Sequence, residues 1–413
     1  MKLVHVVAQE LAADFSVRLT GSKSETNRLL LLSALYPNVT LLNDSNAYDV
    51  GVMKKAITQR SGTVDIHHAG TAMRFLTAYY SVTEGAEVLL TGSDRMKQRP
   101  IALLVDALRS LGASIEYAEQ VGFPPLKISG KKLTQSKVSI AANVSSQYLS
   151  ALALVGATLE HGLVLDLKGE ITSLPYLNMT LQLLGRIGIS ARFEDKSIRI
   201  DPCGAVDPVA LAVESDWSAA SYYYSIVALS SMGTTAHLSV LRDDSLQGDR
   251  VLAEIYRDFG VQTVFETDGT IRLQKTHEPP SDQVYYDLKN APDIAQTIAV
   301  TAAGLGINCY MKGLHTLPIK ETDRLAAMKT ELSKVGVPTE ITAESLRVLG
   351  KEGKLQPAVI ATYNDHRMAM AFAPLGLKTQ VTIEDPQVVE KSYPDFWKDL
   401  EHIGFTLGFV SDN

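Results

Sequence analysis

One pattern of hydrophobic and polar positions recurs along the chain. An apolar helical stripe ends, a glycine follows, and a segment of alternating apolar and polar residues comes after the glycine. Five copies are clear and lie 68 to 76 residues apart: SLGASIEYAE (Gly112), RIGISARFED (Gly188), DFGVQTVFET (Gly260), KVGVPTEITA (Gly336) and HIGFTLGFVS (Gly404). A weaker first copy, QRSGTVDIHH, contains Gly62.

This pattern predicts a repeated unit of helix, glycine and strand. Glycine is favoured just past a helix C-terminus, where the backbone enters the left-handed region, so each glycine is expected at such a position. Alternation with a period of two predicts the strand that follows. Repeated units of this kind bury helices against sheets, which predicts an α/β (α+β) fold. The length of 413 residues suits two domains of three units each.

Composition narrows the class of protein further. The chain is 46% hydrophobic and 21% charged, as in ordinary soluble globular proteins, and its net charge of −7 makes nucleic acid a poor partner. The two cysteines, Cys203 and Cys309, exclude a disulfide framework and a cysteine-rich metal site. The first residues lack the apolar core of a signal peptide, and no run of 18 apolar residues occurs. A soluble cytoplasmic protein is therefore expected.

The segment IKETDRLAAM predicts the start of a surface helix. Its apolar stripe consists of Leu325, Met328, Leu332 and Val335. Glu331 and Lys334 fall off that stripe and are expected at the surface. Such a helix would begin with Lys320 and Arg324 one turn apart, two like charges that repel where the helix dipole already disfavours cations. The first turn is therefore either a poor solvated helix start or part of an anion site.

Other helix starts also combine cations with small polar residues. In LTGSKSETNR, the residues Lys23, Ser24 and Arg28 open an apolar helix. Backbone N–H groups, the hydroxyl and the two cations suit one bound anion, and a plain N-capped helix is the alternative. HHAGTAMRFL places Gly70 at a loop-to-helix turn, and DRMKQRPI ends a cluster of three cations with Arg99. Each of these two stretches suits a solvated surface as well as an anion clamp.

Four later helix starts complete the series. Their polar residues are Ser145, Ser146 and Gln147 in NVSSQYLSALAL, Asp293 in NAPDIAQTIAV, Asp365, His366 and Arg367 in YNDHRMAMAFA, and Lys391 in EKSYPDFWKDL. Capping or a solvated surface explains most of these residues when each is taken alone. Their recurrence in an acidic chain favours a shared polyanionic ligand.

Taken in order, these motifs resemble the 5-enolpyruvylshikimate-3-phosphate synthase family. The matching segments are GSKSETNR, AGTAMR, RMKQRP, SSQYLSAL, SLPY, APDIAQTIA, IKETDRL, NDHRMAM and EKSYPDF. They extend from residue 21 to residue 396, nearly the whole chain. No single segment is specific, but the combination in this order is.

The resemblance implies the enolpyruvyl transferase fold, an inside-out α/β barrel of two similar domains with the active site in the cleft between them. One domain would comprise residues 1–20 and 215–413, and the other residues 21–214. The implied reaction transfers the enolpyruvyl group of phosphoenolpyruvate to the 5-hydroxyl of shikimate 3-phosphate and releases phosphate, in the shikimate pathway to chorismate and aromatic amino acids. It requires no metal or cofactor, and the family is usually monomeric.

The resemblance also implies roles for individual residues. Asp293 and Glu321 would form the acid–base pair, and Lys23 would stabilise charge in the intermediate. The residues implied to bind shikimate 3-phosphate are Lys23, Ser24, Arg28, Ser145, Ser146, Gln147, Ser173, Tyr176, Asp293 and Lys320. Those implied to bind phosphoenolpyruvate are Lys23, Gly70, Arg99, Gln147, Arg324, Arg367 and Lys391.

Three positions depart from the family pattern. His68 stands where the family usually has asparagine at the head of NAGTA, and Phe75 stands where proline is frequent after the arginine. Thr316 aligns with a family asparagine that contacts shikimate, and Pro318 precedes Ile319 in the following motif. The contributions of these positions to substrate and inhibitor binding therefore do not follow from the resemblance.

Two other functions compete at this point. The enolpyruvyl transferase that acts on UDP-N-acetylglucosamine resembles this family in fold and uses phosphoenolpyruvate, but it relies on a loop cysteine in its N-terminal domain. Cys203 in DPCGAV and Cys309 in INCYM lie outside that pattern. A non-catalytic anion-binding paralogue is the second alternative, and the presence of Lys23, Asp293 and Glu321 argues against it.

Overall fold

The structure is a computed structural model that describes residues 2–8, 11–141, 145–169, 174–350 and 353–411. The strands in this part of the chain are β1 (Lys2–Ala8), β2 (Asp14–Val17), β3 (Val39–Leu42), β4 (Ser61–Asp65), β5 (Glu87–Thr91), β6 (Ser114–Tyr117), β7 (Leu126–Ser129), β8 (Lys137–Ala141), β9 (Leu163–Lys168), β10 (Ala191–Glu194), β11 (Ser197–Ile200), β12 (Val209–Ala212), β13 (Thr235–Leu238), β14 (Val261–Phe265), β15 (Ile271–Lys275), β16 (Gln283–Asp287), β17 (Asn308–Lys312), β18 (Thr339–Ile341), β19 (Ser345–Val348), β20 (Ala358–Ile360), β21 (Val381–Glu384) and β22 (Phe405–Ser411). The α-helices are α1 (Lys23–Leu35), α2 (Tyr48–Ile57), α3 (Gly70–Val82), α4 (Asp94–Lys97), α5 (Ala102–Ser110), α6 (Ser146–Gly156), α7 (Leu174–Arg186), α8 (Trp217–Leu229), α9 (Leu252–Ile255), α10 (Ala295–Leu305), α11 (Arg324–Lys334), α12 (His366–Phe372) and α13 (Phe396–His402).

Within the described residues, five four-stranded sheets share one topology. In the sheet β4–β5–β7–β6, α3 connects the parallel strands β4 and β5. The strands β6 and β7 then form an antiparallel hairpin whose second strand pairs with β5. The same order recurs in β8–β9–β11–β10, β2–β13–β15–β14, β16–β17–β19–β18 and β20–β21–β1–β22. The repeated unit is therefore strand, helix, strand, helix and an antiparallel strand pair. That pair is a hairpin in four of the sheets, and in the fifth it is formed by β22 and the N-terminal strand β1.

The first two strands of the chain complete sheets whose other members lie far away in sequence. β1 runs antiparallel to both β21 and β22, and β2 runs parallel to β13. The chain accordingly divides into two compact units. The terminal unit comprises Met1–Thr20 and Glu214–Asn413, and the inserted unit comprises Gly21–Val213.

The weak first copy of the repeat differs from the others. β3 and β12 form a parallel pair, and the chain continues from α2 into β4, which is the first strand of the next sheet. Gly62 lies inside β4. After Gly112, Gly188, Gly260 and Gly336, by contrast, the strand is the first of its sheet's own hairpin, and after Gly404 the strand β22 pairs with β1 of its own sheet. The weaker copy that the sequence indicated therefore differs from the other five, because its glycine lies within a strand and that strand belongs to the following sheet.

The glycines of the five clear copies adopt the backbone conformation that the sequence predicts. Their φ angles lie between +82° and +111°, in the left-handed region that L-residues with a side chain avoid. At Gly260 a Cβ atom would also lie 2.0 Å from the carbonyl oxygen of His277. The glycine caps are confirmed, and Gly260 has a second reason to lack a side chain.

Each unit places helices inside and sheets outside. The buried helices are α1, α3 and α6 in the inserted unit, and α8, α10 and α12 in the terminal unit. In α8, for example, 12 of the 13 residues are buried. Ser221 bonds to Thr297 at 3.1 Å, and Ser225 to Thr301 at 2.8 Å, so hydroxyls satisfy one another where α8 packs against α10.

Helix α11 begins one turn later than predicted. Asp323 is its N-cap and accepts hydrogen bonds from the N–H groups of Leu325 and Ala326, each at 3.1 Å. Lys320 lies before the helix in extended backbone, so Lys320 and Arg324 do not share a helical turn. The predicted like-charge clash on the helix is therefore wrong, because a capping aspartate ends the preceding loop.

The apolar stripe of α11 is confirmed, but one of its polar positions is not. Leu325, Met328, Leu332 and Val335 are each at most 2% exposed. Glu331, expected at the surface, is fully buried and accepts hydrogen bonds from the Tyr363 hydroxyl at 2.7 Å and the Ala361 N–H at 3.1 Å. A neighbouring loop folds over this side chain, which helical periodicity does not reveal.

No helix in the described part of the chain has the length and apolar character needed to cross a bilayer.

Candidate active site

Asp293 lies at the centre of a cluster of charges in the terminal unit. It belongs to the 3₁₀ turn Pro292–Ile294, which leads into α10. Its Oδ1 atom is 2.9 Å from Arg324 Nη1 and 3.5 Å from Lys320 Nζ, and its Oδ2 atom is 3.2 Å from Arg367 Nη2. Burial by itself raises the pKa of Asp293, but these three cations outweigh burial and hold the pKa well below its ordinary value. Asp293 is therefore an ionised carboxylate.

Arg324, the first residue of α11, connects three carboxylates. Besides Asp293, it bonds to Glu321 Oε2 through Nη2 at 3.1 Å and to Asp365 Oδ2 through Nε at 2.7 Å. Its side chain is 2% exposed. Burial lowers the pKa of Arg324, yet the acidic neighbours more than compensate and raise it above the ordinary value. The guanidinium is thus a fixed charge that organises the cluster.

Glu321 lies between two cations. Its Oε1 atom is 2.7 Å from Lys391 Nζ, and its Oε2 atom accepts from Arg324. The side chains of Glu321 and Lys391 are 16% and 10% exposed. Lys391 ends the 3₁₀ turn Pro386–Lys391, so residues from distant parts of the chain meet at this carboxylate.

Asp365 completes the cluster from the start of α12. It is the N-cap of that helix, accepts the N–H of Arg367 at 3.0 Å and is fully buried. The cations of the cluster are Lys320, Arg324, Arg367 and Lys391, and its carboxylates are Asp293, Glu321 and Asp365. The cluster has one more positive than negative charge, and the carboxylates serve as internal counterions. An anionic ligand here would compete with them for the cations.

A second group of predicted residues lies in the inserted unit, beginning at α1. Ser22 caps this helix by accepting the N–H of Glu25 at 3.4 Å. Lys23 Nζ lies 3.3 Å from Oδ2 of Asp49, a residue of α2 whose side chain is only 5% exposed. Capping therefore explains Ser22, whereas the ammonium group of Lys23 is turned toward a buried carboxylate.

Arg28 joins three helices of the inserted unit. Its Nε donates to Thr180 Oγ1 at 2.8 Å, and its Nη1 donates to the carbonyl oxygen of Ser24 at 2.7 Å. Its Nη2 donates to Ser150 Oγ at 3.2 Å and to the carbonyl oxygen of Tyr176 at 3.1 Å. Burial lowers the pKa of Arg28 to about 10, which leaves it charged at neutral pH. It fastens α1 to α6 and α7 and brings Ser24 and Tyr176 together.

The remaining predicted residues of this unit gather at the starts of α3 and α6. A Cβ atom on Gly70 would lie 2.5 Å from Arg99 Nη1, so the guanidinium of Arg99 lies against the bare glycine. Gln147 Nε2 donates to the hydroxyl of Thr71 at 3.3 Å. The Gln147 N–H donates to the Ser145 hydroxyl at 3.3 Å, and the adjoining Ser146 is buried. The predicted residue Ser173 lies outside the described residues.

Comparison with known proteins agrees with these motifs and this fold. The family model described as EPSP synthase (3-phosphoshikimate 1-carboxyvinyltransferase) matches residues 38–400. The chain belongs to the EPSP synthase family. It is 46% identical to the 3-phosphoshikimate 1-carboxyvinyltransferase of Bacteroides fragilis (strain YCH46), over 95% of this chain and 96% of that protein. It is 37% identical to the Vibrio cholerae protein of the same name, over 92% of this chain and 95% of that protein.

Solved structures support the fold. The structure of EPSP synthase from Acinetobacter baumannii has a TM-score of 0.81 and 19% identity, covering all of both chains. The enolpyruvyl transferase NikO from Streptomyces tendae has a TM-score of 0.75 and 15% identity, covering 100% of this chain and 99% of that one. The predicted family, the two-domain α/β fold and the activity, transfer of the enolpyruvyl group from phosphoenolpyruvate to shikimate 3-phosphate in the shikimate pathway, are confirmed.

Two of the departures from the family pattern, His68 and Phe75, have local structural partners, whereas the buried Thr316 hydroxyl has no hydrogen-bond partner among the described residues. His68 Nδ1 lies 2.7 Å from the hydroxyl of Ser93. Phe75 is fully buried on α3, and the centre of its ring is 5.4 Å from the guanidinium carbon of Arg28. Phe75 therefore packs against an arginine that the resemblance assigns to shikimate 3-phosphate.

Cys309 does not have the environment of an activated nucleophile. Cys309 is fully buried in β17, and burial raises the pKa of its thiol to about 12, so it is protonated at neutral pH. Cys203 Sγ donates to the carbonyl oxygen of Ala205 at 3.1 Å. The environment of Cys309 supports the distinction from the transferase that uses a loop cysteine.

Sequence reasoning missed two carboxylates that pair with predicted cations, Asp365 with Arg324 and Asp49 with Lys23, and a third, Asp249, that bonds to a serine. Asp365 was noted only as part of a helix start, and Asp49 and Asp249 were not singled out. Each is at most 3% exposed. Asp365 and Asp49 lie at helix starts, where capping and the helix dipole already account for an aspartate, so the sequence carried no separate signal for either.

Proposed function

We propose that this protein uses Asp293 and Glu321 as the acid–base pair for addition of the shikimate 3-phosphate hydroxyl to phosphoenolpyruvate. The observation that carries the proposal is that both carboxylates bond to one buried guanidinium, that of Arg324. Their pairing with Lys320 and Lys391 adds cations for anionic substrates.

The proton transfers follow from the two environments. The 5-hydroxyl attacks C2 of phosphoenolpyruvate and gives its proton to Asp293, which is ionised in the protein. Glu321, protonated in the substrate complex, gives its proton to the methylene carbon C3, which yields a tetrahedral adduct. A proton then returns from C3 to Glu321 as the C2–O bond to phosphate breaks, and phosphate leaves with the proton held by Asp293. These steps restore the double bond and give 5-enolpyruvylshikimate 3-phosphate. Lys23 stabilises the charge on the adduct.

Anion binding is divided between the two groups of residues. Phosphoenolpyruvate is held by Arg324, Arg367 and Lys391 from the terminal unit, whose guanidinium groups match carboxylate and phosphate. The inserted unit contributes four more residues to phosphoenolpyruvate binding: Lys23, Gly70, Arg99 and Gln147. The proximity of Arg99 to Gly70 supports this grouping.

Shikimate 3-phosphate is held mainly by hydrogen-bonding groups of the inserted unit. These are Lys23, Ser24, Arg28, Ser145, Ser146, Gln147, Ser173 and Tyr176, with Asp293 and Lys320 from the terminal unit. The bond from Arg28 to the Ser24 carbonyl, and its bond to the Tyr176 carbonyl, support a common role for these residues. The two compact units are proposed to be the protein's two domains, although the predicted boundary assigned residue 214 to the other one. A cleft location for the site, a monomeric state and a cytoplasmic location stay predictions.

The acceptor is tested by phosphate release. The purified chain is incubated with phosphoenolpyruvate and either shikimate 3-phosphate or UDP-N-acetylglucosamine, and inorganic phosphate is measured. Release that requires shikimate 3-phosphate is expected. Release with the sugar nucleotide instead would favour the related transferase, and no release with either would favour a non-catalytic anion-binding protein.

The acid–base role is tested with Glu321→Gln, which keeps the shape of the side chain and removes its proton-transfer group. Turnover is expected to fall about 100-fold or more, while the KM of each substrate changes less than about tenfold. Glu390→Gln is the matched control, because Glu390 is an exposed glutamate next to Lys391. Wild-type turnover in Glu321→Gln would show that Glu321 has no acid–base role.

A further inference from the structure

Asp249 is a buried carboxylate that the reaction described above does not use. It lies in the 3₁₀ turn Gly248–Val251 of the terminal unit and is 3% exposed. Its Oδ2 atom accepts a short hydrogen bond from the hydroxyl of Ser218. Its Oδ1 atom is buried and has no hydrogen-bond partner among the described residues. A half-satisfied buried carboxylate is costly, so its presence requires an explanation.

Ser218 connects this carboxylate to the active site. Its hydroxyl has a single hydrogen, which is donated to Asp249, so its oxygen lone pairs remain for an incoming donor. That donor is Arg367, whose Nη2 lies 3.3 Å from Ser218 Oγ. The same Nη2 atom donates to Asp293 Oδ2 at 3.2 Å. A continuous chain of hydrogen bonds therefore runs from Asp249 through Ser218 and Arg367 to Asp293.

Helix capping does not account for this chain. The N-terminus of α8 is already capped by Asp216, which accepts the N–H of Ala219 at 3.1 Å. The N–H of Trp217 donates to Gln247 Oε1 at 3.0 Å. The hydrogen bond between Ser218 and Asp249 does not cap any N–H group of α8. We therefore relate it to Arg367, whose guanidinium also bonds to the Ser218 hydroxyl.

We propose that Asp249 is a positioning residue that orients Arg367 through Ser218 and thereby sets the affinity for phosphoenolpyruvate. The inference rests on the proposed role of Arg367 in binding that substrate. Ser218 Oγ and Asp293 Oδ2 both accept hydrogen bonds from Nη2 of Arg367, and these two bonds fix the plane of the guanidinium. A planar, two-pronged donor recognises carboxylate or phosphate only in the correct orientation, so loss of one acceptor weakens binding.

The electrostatics of Asp249 agree with this role. Burial, together with repulsion from Asp293, raises the pKa of Asp249 to about 6, while Arg367 and Ser218 lower it. Asp249 is thus coupled to the same two residues that the hydrogen bonds connect. At neutral pH its charge favours the donating orientation of the Ser218 hydroxyl.

The test compares Asp249→Asn, Ser218→Ala and the double variant by steady-state kinetics in the full-length protein. Each single variant is expected to raise the KM for phosphoenolpyruvate about fivefold, the equivalent of one hydrogen bond. The KM for shikimate 3-phosphate and kcat are expected to change less than about twofold, a split that general loss of structure would not produce. The matched control is Asp258→Asn, because Asp258 also accepts from a hydroxyl, that of Tyr286 at 2.9 Å.

The double variant decides whether Asp249 acts through Ser218. Because the two residues form one chain, it should be no worse than either single variant, whereas independent effects would multiply to about 25-fold. Multiplied effects, or an unchanged KM in Ser218→Ala, would overturn the inference. If Asp249→Asn fails to fold, the KM of Ser218→Ala for phosphoenolpyruvate decides the test by itself. A wild-type protein that releases no phosphate refutes the proposed function itself, whereas an active wild type with unchanged variants refutes only the role of Asp249.

Discussion

Replacing Arg324 with methionine should destabilise the terminal unit strongly. Arg324 is 2% exposed, and it is the cation that bonds to the fully buried Asp365 through Nε and Nη2, at 2.7 Å and 3.4 Å. Asp293 keeps Lys320 and Arg367 as partners, and Glu321 keeps Lys391, so the loss falls mainly on Asp365. Removing one partner of a buried ion pair costs about 3–5 kcal/mol, and methionine fills much of the vacated volume.

Tryptophan fluorescence provides a local assay. The chain has two tryptophans, Trp217 and Trp397, and both belong to the terminal unit. Urea-induced unfolding followed by their emission therefore reports on the unit that contains Arg324. The midpoint and slope of that transition give the change in the free energy of unfolding.

An exposed arginine is the control for the loss of charge. Arg347, in the same unit as the tryptophans, also pairs with a carboxylate, that of Glu340, but its side chain is 48% exposed, so Arg347→Met should cost at most about 1 kcal/mol. Adding Asp365→Asn to Arg324→Met should recover at least about 2 kcal/mol, because no charge is then left buried alone. A cost below about 1 kcal/mol for Arg324→Met, or no recovery in the double variant, would refute the reasoning.

Three further outcomes are expected. Gly70→Ala should raise the KM for phosphoenolpyruvate with little loss of stability, because the new Cβ atom displaces the mobile end of Arg99, 2.5 Å away; an unchanged KM would contradict this. Gly260→Ala should cost more unfolding free energy than Gly269→Ala, since both have positive φ but only Gly260 meets a carbonyl oxygen; urea titration compares them. Folding raises the pKa of Asp249 from 3.8 to about 6, so its contribution to stability is fully present below pH 3.8 and is lost as pH rises through 6. Between pH 4 and pH 7 the loss is about 2 kcal/mol, and urea titrations at these two pH values should show that Asp249→Asn lacks it.

Local sequence determined the repeat and most of the residues proposed for the site. The five glycines after helices could be predicted because only glycine adopts φ between +82° and +111° without strain. The apolar stripe of α11 followed from helical periodicity. The basic and polar helix starts followed from the chemistry of anion binding, and their order along the chain indicated the family. Each of these glycines, stripes and helix starts can be recognised from a few neighbouring residues in the sequence.

The pairing of strands and charges was decided by the tertiary structure. No local pattern indicates that β1 pairs with β21 and β22, because the partner of a strand is chosen by the packing of the whole sheet. Glu331 was misjudged because the loop that buries it comes 30 residues later. Asp365 lies 41 residues from the arginine that neutralises it. Sequence determined which ionisable groups are present, but Coulomb and hydrogen-bond energies depend on distance in space, so only the fold decided which carboxylate meets which cation.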